Sequence, residues 1–435
     1  MSRRAVIVVL CGAGDWPIPE LGGRTPLEAA RTPSLDRLAS AGRQCLVEVI
    51  GRSIPPESDS GAMALLGYDP LVFYSGRGPL EGLGMGFLSP SSPERAVCFR
   101  INFASYDHER RRLDRRTARD LSPADLSALV QELRMGVTLE PFGDARFQIH
   151  GFARHRGILC FESSARRLSG AVSNTDPGFR KEGPFGVPVE RHPPQPLPCL
   201  PLDGEEASSR TAGIVNAFLE RAHALLRASP VNRRRMRDGK LPANVLLLRD
   251  GGTVAPSLVR FGDRFGCRLA MFGQLPAERG LSLLLGGVWR DSAPPDDTHL
   301  GPYYRQLAGK LAAEDAEVVF VHVKGPDEPA HDQRIDAKVA AIEVIDEELI
   351  AGLAGRMRPD DVIVVTSDHR TPCTLGIHSA DRVPLLLAGA DVQPDSSRRF
   401  TEREAARGHL GLARACDLMP AIAPGLARGH AGAAR

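Results

Sequence analysis

Short aliphatic runs bounded by turn residues alternate along the chain with stretches whose apolar positions recur every three or four residues. That alternation predicts an α/β protein with a largely parallel sheet, because strands buried on both faces read as continuous aliphatic runs. The clearest strands are predicted over residues 5–10, 318–323, 362–366 and 385–388. Between the second and third, from 336 to 353, Val339, Ile342, Ile345, Leu349 and Leu353 are spaced as the buried stripe of an amphipathic helix. Strand, helix and strand together make a βαβ unit. Polar residues follow three of the four strands at their C-terminal ends: Cys11, then Asp327, then Asp368-His369. Open α/β sheets carry their sites at that edge.

From about residue 78 to 252 the texture changes. Strand-like runs at 96–103, 157–161 and 245–248 accompany one long helix over 212–228. A proline-rich passage over 184–201 reads equally as an ordered loop or a linker. Strand-end motifs flank this segment on both sides, so the middle is read as a second domain inserted into the first. A length of 435 residues agrees with two domains.

Composition narrows the class. A chain that is 42% hydrophobic and 25% charged is globular rather than disordered. A net charge of +2 is not the footprint of a nucleic-acid binder. Arg3-Arg4 before an apolar run imitates a secretion signal, but the run over 5–10 is short and Asp15-Trp16-Pro17 follows it, so a buried strand is expected. No stretch reaches the ~20 apolar residues of a membrane helix. Eight cysteines without a CxxC pair are expected to be reduced thiols in a cytoplasmic protein. Only five lysines stand against fifty arginines, so arginine clusters carry little meaning and a lysine inside a motif carries more.

Two groups of residues suggest chemistry. Asp327 and His331, four apart, would share one side of a helical turn, a spacing that suits a divalent ion but also an ordinary helix-surface pair. Asp368-His369 and His378 fall at the ends or approaches of neighbouring strands. Taken together, this mixed His/Asp set suits Mn²⁺ or Zn²⁺ better than Ca²⁺. The second group is Ser58-Asp59-Ser60 before an apolar helix. It reads either as a helix cap or as a serine hydroxyl at a helix N-terminus, where free N–H groups favour a phosphoryl group.

Several strings go further. Ser58-Asp59-Ser60 with Leu65-Leu66-Gly67-Tyr68-Asp69-Pro70, then Tyr74-Ser75-Gly76-Arg77-Gly78-Pro79, resembles the archaeal-type, cofactor-independent phosphoglycerate mutases of the alkaline phosphatase superfamily. The likeness continues through Glu20-Leu21-Gly22-Gly23-Arg24-Thr25-Pro26, Gly239-Lys240-Leu241-Pro242-Ala243-Asn244, His322-Val323-Lys324-Gly325 and Asp417-Leu418-Met419-Pro420. It implies an alkaline phosphatase-like metal-binding domain over 1–77 and 255–435, and an inserted, smaller α/β substrate-binding domain over 78–254. It also implies two divalent ions, Mn²⁺ or Zn²⁺. One would be held by Asp327, His331 and His378, the other by Asp368, His369, Ser58 and Cys11. Ser58 would carry the phosphoryl group between 3-phosphoglycerate and 2-phosphoglycerate, assisted by Lys324, with Arg115, Arg116, Arg119, His155 and Arg156 holding this small phosphorylated metabolite. No nucleic-acid or membrane partner is implied.

Two departures stand out. The family has aspartate where this chain has Cys11, and histidine where it has Ala62. As a metal ligand a thiolate is a softer donor than carboxylate and would tilt the second ion toward Zn²⁺, whereas a neutral buried thiol would leave that site one anion short. The departures favour an alternative: a related phosphotransferase or phosphatase on another small phosphorylated hydroxy acid or alcohol, or a catalytically impaired member of the family.

Overall fold

The computed structural model describes residues 3–51, 53–90, 94–115, 120–189, 191–254, 258–294 and 300–427. The chain divides into two compact units, one formed by Met1–Tyr74 with Leu258–Arg435 and the other by Ser75–Ser257. Fourteen strands run through the described residues. β1 (Ala5–Leu10) and β2 (Gly42–Val47) open the first unit. The second unit holds β3 (Ala96–Asp107), β4 (Arg112–Asp114), β5 (Ala145–Ala153), β6 (Arg156–Ser163), β7 (Phe179–Glu182), β8 (Phe185–Pro188) and β9 (Val245–Gly252). The first unit resumes with β10 (Leu269–Gly273), β11 (Val288–Asp291), β12 (Val318–Val323), β13 (Val362–Thr366) and β14 (Val383–Gly389).

The first unit is built on one seven-stranded sheet in the order β11-β10-β12-β1-β13-β14-β2. From β11 to β13 every pairing is parallel, and β14 and β2 are added antiparallel. β1 sits between β12 and β13, with Val8 level with Val321 on one side and Val365 on the other. Its aliphatic run is buried throughout, as an inner parallel strand requires. Val6, Val8, Val319, Val321, Ile363 and Val365 pack against Ile342, Ile345, Leu349 and Leu353 of the connecting helix. That helix spans Ile335–Val344, tightens no further, and instead widens into a π segment over Ile345–Ile350 before closing at Ala351–Ala354. The wider turn brings Ile350 to the core beside Leu349, a step the expected spacing did not contain. It also buries Asp346, whose carboxylate accepts the Ser34 and Leu35 amides at 3.0 and 2.6 Å and so caps the helix Pro33–Ser40.

The second unit is an antiparallel sheet in the order β4-β3-β6-β5, with β9 also paired to β3. Alternate residues of β3 (Val97, Phe99, Ile101, Phe103) face a core shared with the helices Pro123–Gly136 and Glu206–Ala228. The opposite face carries Cys98 and Cys160, which stand directly across from one another on β3 and β6 with their Cα atoms 4.0 Å apart. They form a disulfide. The expectation of eight reduced thiols therefore fails for this pair, because strand register, invisible in a spacing of 62 residues, sets them opposite each other. The proline-rich passage is an ordered loop where described: Leu197 donates to the Thr175 carbonyl and Ser173 to that of Leu200. Among the described residues no helix is long and apolar enough to cross a membrane.

Candidate active site

The C-terminal ends of β12, β1 and β13, neighbours in the sheet, deliver the side chains of interest to one place. Cys11 is the first residue past β1, and its amide is held by the Val323 carbonyl of β12. Gly12 follows at φ +62, where a Cβ would stand 2.5 Å from an Asp327 carboxylate oxygen, so the turn needs glycine. Beyond β12 come Lys324 and the short helix Asp327–His331, and beyond β13 come Asp368 and His369. Ser58 is the first residue of the helix Ser58–Leu65 and only 5% exposed. That helix packs tightly on the β13 turn, since a Cβ on Gly61 would meet Asp368 backbone and side chain at 2.8 Å.

Two donor sets form. In the first, Nε2 of His331 lies 3.5 Å from Asp327 Oδ1, Nε2 of His378 lies 3.8 Å from the same oxygen, and the two Nε2 atoms are 3.2 Å apart. In the second, Cys11 Sγ is 3.3 Å from Asp368 Oδ2, 3.7 Å from His369 Nε2 and 3.5 Å from Ser58 Oγ, and His369 Nε2 is 3.2 Å from Asp368 Oδ2. Four-coordinate zinc with N and O donors near 2.0–2.2 Å and sulfur near 2.3 Å separates its donors by about 3.3–3.6 Å. Both sets fit that scale.

The tautomers fit as well. His331 and His378 spend their Nδ1–H groups on the Gly376 and Pro56 carbonyls at 2.9 and 2.8 Å. His369 gives its Nδ1–H to Thr371 Oγ1 at 3.0 Å, because the Thr371 hydroxyl itself donates to Asp327 at 2.7 Å. All three Nε2 atoms are thereby left to face the donor sets, the arrangement by which metal-ligating histidines are oriented. Burial and the stacked His369 ring push His378 down to about 4, a neutral imidazole. Burial works against ionised Asp327 and Asp368, yet the surrounding histidines hold both carboxyls well below the usual range.

Lys324 joins the second set, its Nζ donating to Ser58 Oγ at 2.7 Å and to Cys11 Sγ at 3.3 Å. Burial opposes its charge, but Cys11 and Glu278 outweigh burial and raise it. Burial and the Asp368 charge push the Cys11 thiol up, Lys324 and His322 pull it down, and the balance falls below its ordinary value. An ammonium 2.7 Å from a buried hydroxyl favours the alkoxide, and the helix N-terminus adds to the same field.

Two residues in this place went unassigned in the sequence. His322, the fifth residue of β12, sits between Glu278 Oε1 (2.5 Å from Nδ1) and Asp368 Oδ2 (2.8 Å from Nε2). Burial and Lys324 oppose charging this ring, but Glu278, Cys11 and Asp368 hold it well above its ordinary value. A histidine inside the run Val-Val-Phe-Val-His-Val was the available signal for it. Glu278 left none, because three residues into the helix Pro276–Leu285 it reads as a capping glutamate.

In the second unit, Arg115 forms a bidentate pair with Asp176 at 2.6 and 2.9 Å and lies over Phe179. His155 is buried in the β5–β6 turn, and Arg156 starts β6 exposed. Arg116 and Arg119 lie outside the described residues. A group the sequence reading did not assemble lies nearby in the fold: Arg77, Arg100 and Arg249, all buried, gather on Glu81 and Asp250. Burial, then the Arg77 and Arg249 charges, lower Arg100 to about 9.

Comparison with known proteins agrees. Residues 39–232 match the family model described as 2,3-bisphosphoglycerate-independent phosphoglycerate mutase. The chain is 35% identical over 419 residues to the 2,3-bisphosphoglycerate-independent phosphoglycerate mutase of Aeropyrum pernix, spanning 94% of this chain and 96% of that one. It is 35% identical over 434 residues to that of Methanoculleus marisnigri, spanning 99% of each. The solved structure of the cofactor-independent phosphoglycerate mutase from Thermoplasma acidophilum superposes with a TM-score of 0.62 at 29% identity, over 98% of this chain and 100% of the other. With relatives of this identity matched along nearly its whole length, the chain belongs to the family of 2,3-bisphosphoglycerate-independent phosphoglycerate mutases.

Proposed function

We propose that this chain interconverts 3-phosphoglycerate and 2-phosphoglycerate through a phosphoserine at Ser58. The observation that carries the reading is the buried Ser58 hydroxyl at a helix N-terminus, 2.7 Å from the Lys324 ammonium and close to His, Asp and Cys side chains able to hold metal ions. The Ser58 oxygen attacks phosphorus, the bond from phosphorus to the C3 oxygen breaks, and that oxygen takes a proton. Return transfer runs in reverse, with the 2-hydroxyl attacking, losing its proton, and the bond from phosphorus to Ser58 breaking. Lys324 holds the serine oxygen in its nucleophilic form and faces the charge that develops on it.

Asp327, His331 and His378 would hold one divalent ion, and Cys11, Ser58, Asp368 and His369 the other. Such ions, when bound, supply positive charge that favours a serine alkoxide and offsets charge on the phosphoryl oxygens. Mn²⁺ or Zn²⁺ suits the first set, and the Cys11 sulfur favours Zn²⁺ at the second. For the second unit we propose substrate binding through Arg115, Arg116, Arg119, His155 and Arg156, to which Arg77, Arg100 and Arg249 are added because three buried guanidinium groups gather there. A cytoplasmic location accords with a phosphorylated metabolite as substrate. Cys11 favours a second reading, transfer or hydrolysis on another small phosphorylated hydroxy acid or alcohol.

The test is acid quenching of the Mn²⁺- or Zn²⁺-loaded protein during turnover of 3-phosphoglycerate, followed by peptide mass spectrometry. A phosphoryl adduct on the peptide containing Ser58, missing in Ser58→Ala, is expected. An adduct on another residue would overturn the assignment.

A further inference from the structure

His322 differs from the other imidazoles of the site. His331, His369 and His378 each spend Nδ1 on a carbonyl or hydroxyl oxygen and turn Nε2 toward the donors, whereas His322 meets a carboxylate oxygen at both nitrogens. With a carboxylate oxygen on each side, the ring bridges Glu278 and Asp368 through its two nitrogens. The oxygen it reaches, Asp368 Oδ2, is the one nearest Cys11 and His369. The other oxygen, Oδ1, accepts the Gly12 and His369 amides, each at 3.0 Å. His322 therefore supplies the last restraint on the Asp368 carboxylate.

What fixes His322 is Glu278. Its Oε1 takes the Nδ1–H at 2.5 Å, while its Oε2 accepts the Gln274 and Leu275 amides at 2.9 and 3.0 Å, which pins the carboxylate to the start of its own helix. Glu278, His322 and Asp368 are all buried. Without Glu278 the ring loses the contact that fixes its rotation, and with it the direction in which Nε2 meets Asp368. The geometry points to Glu278 as a positioning residue that acts through His322 to orient Asp368 for the second ion. This rests on the proposed reading of Asp368 as a ligand.

The test is Zn²⁺ binding to the full chain, with a competing chromophoric chelator reading the two dissociation constants. Glu278→Ala removes the group that fixes His322 Nδ1, whereas Glu278→Gln keeps an oxygen for the Gln274 and Leu275 amides, turns an NH₂ group on Nδ1 and so leaves the ring proton on Nε2, facing Asp368. Glu278→Ala is expected to weaken one of the two ions by roughly 10–100-fold, the range for an outer partner of a metal ligand, and to leave the other ion unchanged, while Glu278→Gln stays near wild type. His322→Asn should weaken the same ion, and adding Glu278→Ala to it should change nothing further. His322→Asn and Glu278→Gln carry this expectation if Glu278→Ala does not fold. Asp368→Asn serves as the control: if it retains both ions at wild-type affinity, the ligand reading fails independently of Glu278. Unchanged binding in Glu278→Ala, additive effects in the double variant, or parallel weakening of both ions with a lower Tm would overturn the inference.

Discussion

If Cys11 is a ligand as proposed, Cys11→Asp exchanges a sulfur donor at the second ion for an oxygen donor. The sulfur stands 3.3 Å from Asp368 Oδ2 and 3.7 Å from His369 Nε2, a spacing suited to a metal–sulfur bond near 2.3 Å. An oxygen donor bonds about 0.2 Å closer, so the ion held by Cys11→Asp moves by some tenths of an ångström relative to Ser58. A misplacement of ~1 Å costs on the order of 100-fold in rate, so 0.2–0.3 Å corresponds to roughly threefold. Cys11→Asp is therefore expected to raise kcat on 3-phosphoglycerate in Mn²⁺ by about that factor and to reduce the preference for Zn²⁺. Steady-state turnover in each metal gives the rate. The absorption spectrum of the Co²⁺ form gives the ligand, since thiolate-to-cobalt charge transfer should be present in the wild type and lost in the variant. A wild-type spectrum without that band, together with identical rates and metal preference in Cys11→Asp, would refute Cys11 as a ligand.

Two further outcomes concern stability. Lys338, fully buried, donates to Asp15 Oδ2 at 2.8 Å and to the Gly14 and Thr371 carbonyls at 3.1 and 2.9 Å, tying together the turns after β1 and β13. Lys338→Ala leaves Asp15 buried without its cation and should cost about 3–5 kcal/mol in chemical denaturation, where a loss under about 1 kcal/mol would contradict the role. In the second unit, His223 Nε2 accepts the Leu246 amide at 3.0 Å, and burial lowers this imidazole to about 4. Because the unfolded chain binds the proton more readily, stability should fall as pH drops from about 6.5 toward 4, by up to about 3 kcal/mol. In His223→Gln this part of the pH slope should vanish, and an unchanged slope would sink the assignment.

The candidate site was legible in the sequence at the strand ends. Cys11, Asp327 and Asp368-His369 lie within a few residues of aliphatic runs that read as parallel strands, and those strands proved to be neighbours. Ser58 was ambiguous from its own surroundings, because a serine at a helix start has the appearance of a cap whether or not it is a nucleophile. Glu278 was hidden for the same reason, since its capping and its contact with His322 use different oxygens of one carboxylate. Thr371, whose hydroxyl links His369 to Asp327, had no signal at all. In the fold, the π segment at Ile345–Ile350 breaks the spacing that announces its helix, and the Cys98–Cys160 bond depends on a register between strands far apart in sequence. The arginines on Glu81 were obscured by composition, fifty arginines leaving no one of them conspicuous.

The most direct measurement of the central claim is phosphorus NMR of 3-phosphoglycerate incubated with the metal-loaded protein and no added bisphosphoglycerate. The account predicts that the 2-phosphoglycerate resonance grows to equilibrium with the wild-type chain and stays at baseline with Ser58→Ala, whose fold is retained. A spectrum that remains 3-phosphoglycerate alone while both ion sites are filled, or Ser58→Ala converting at the wild-type rate, would contradict it.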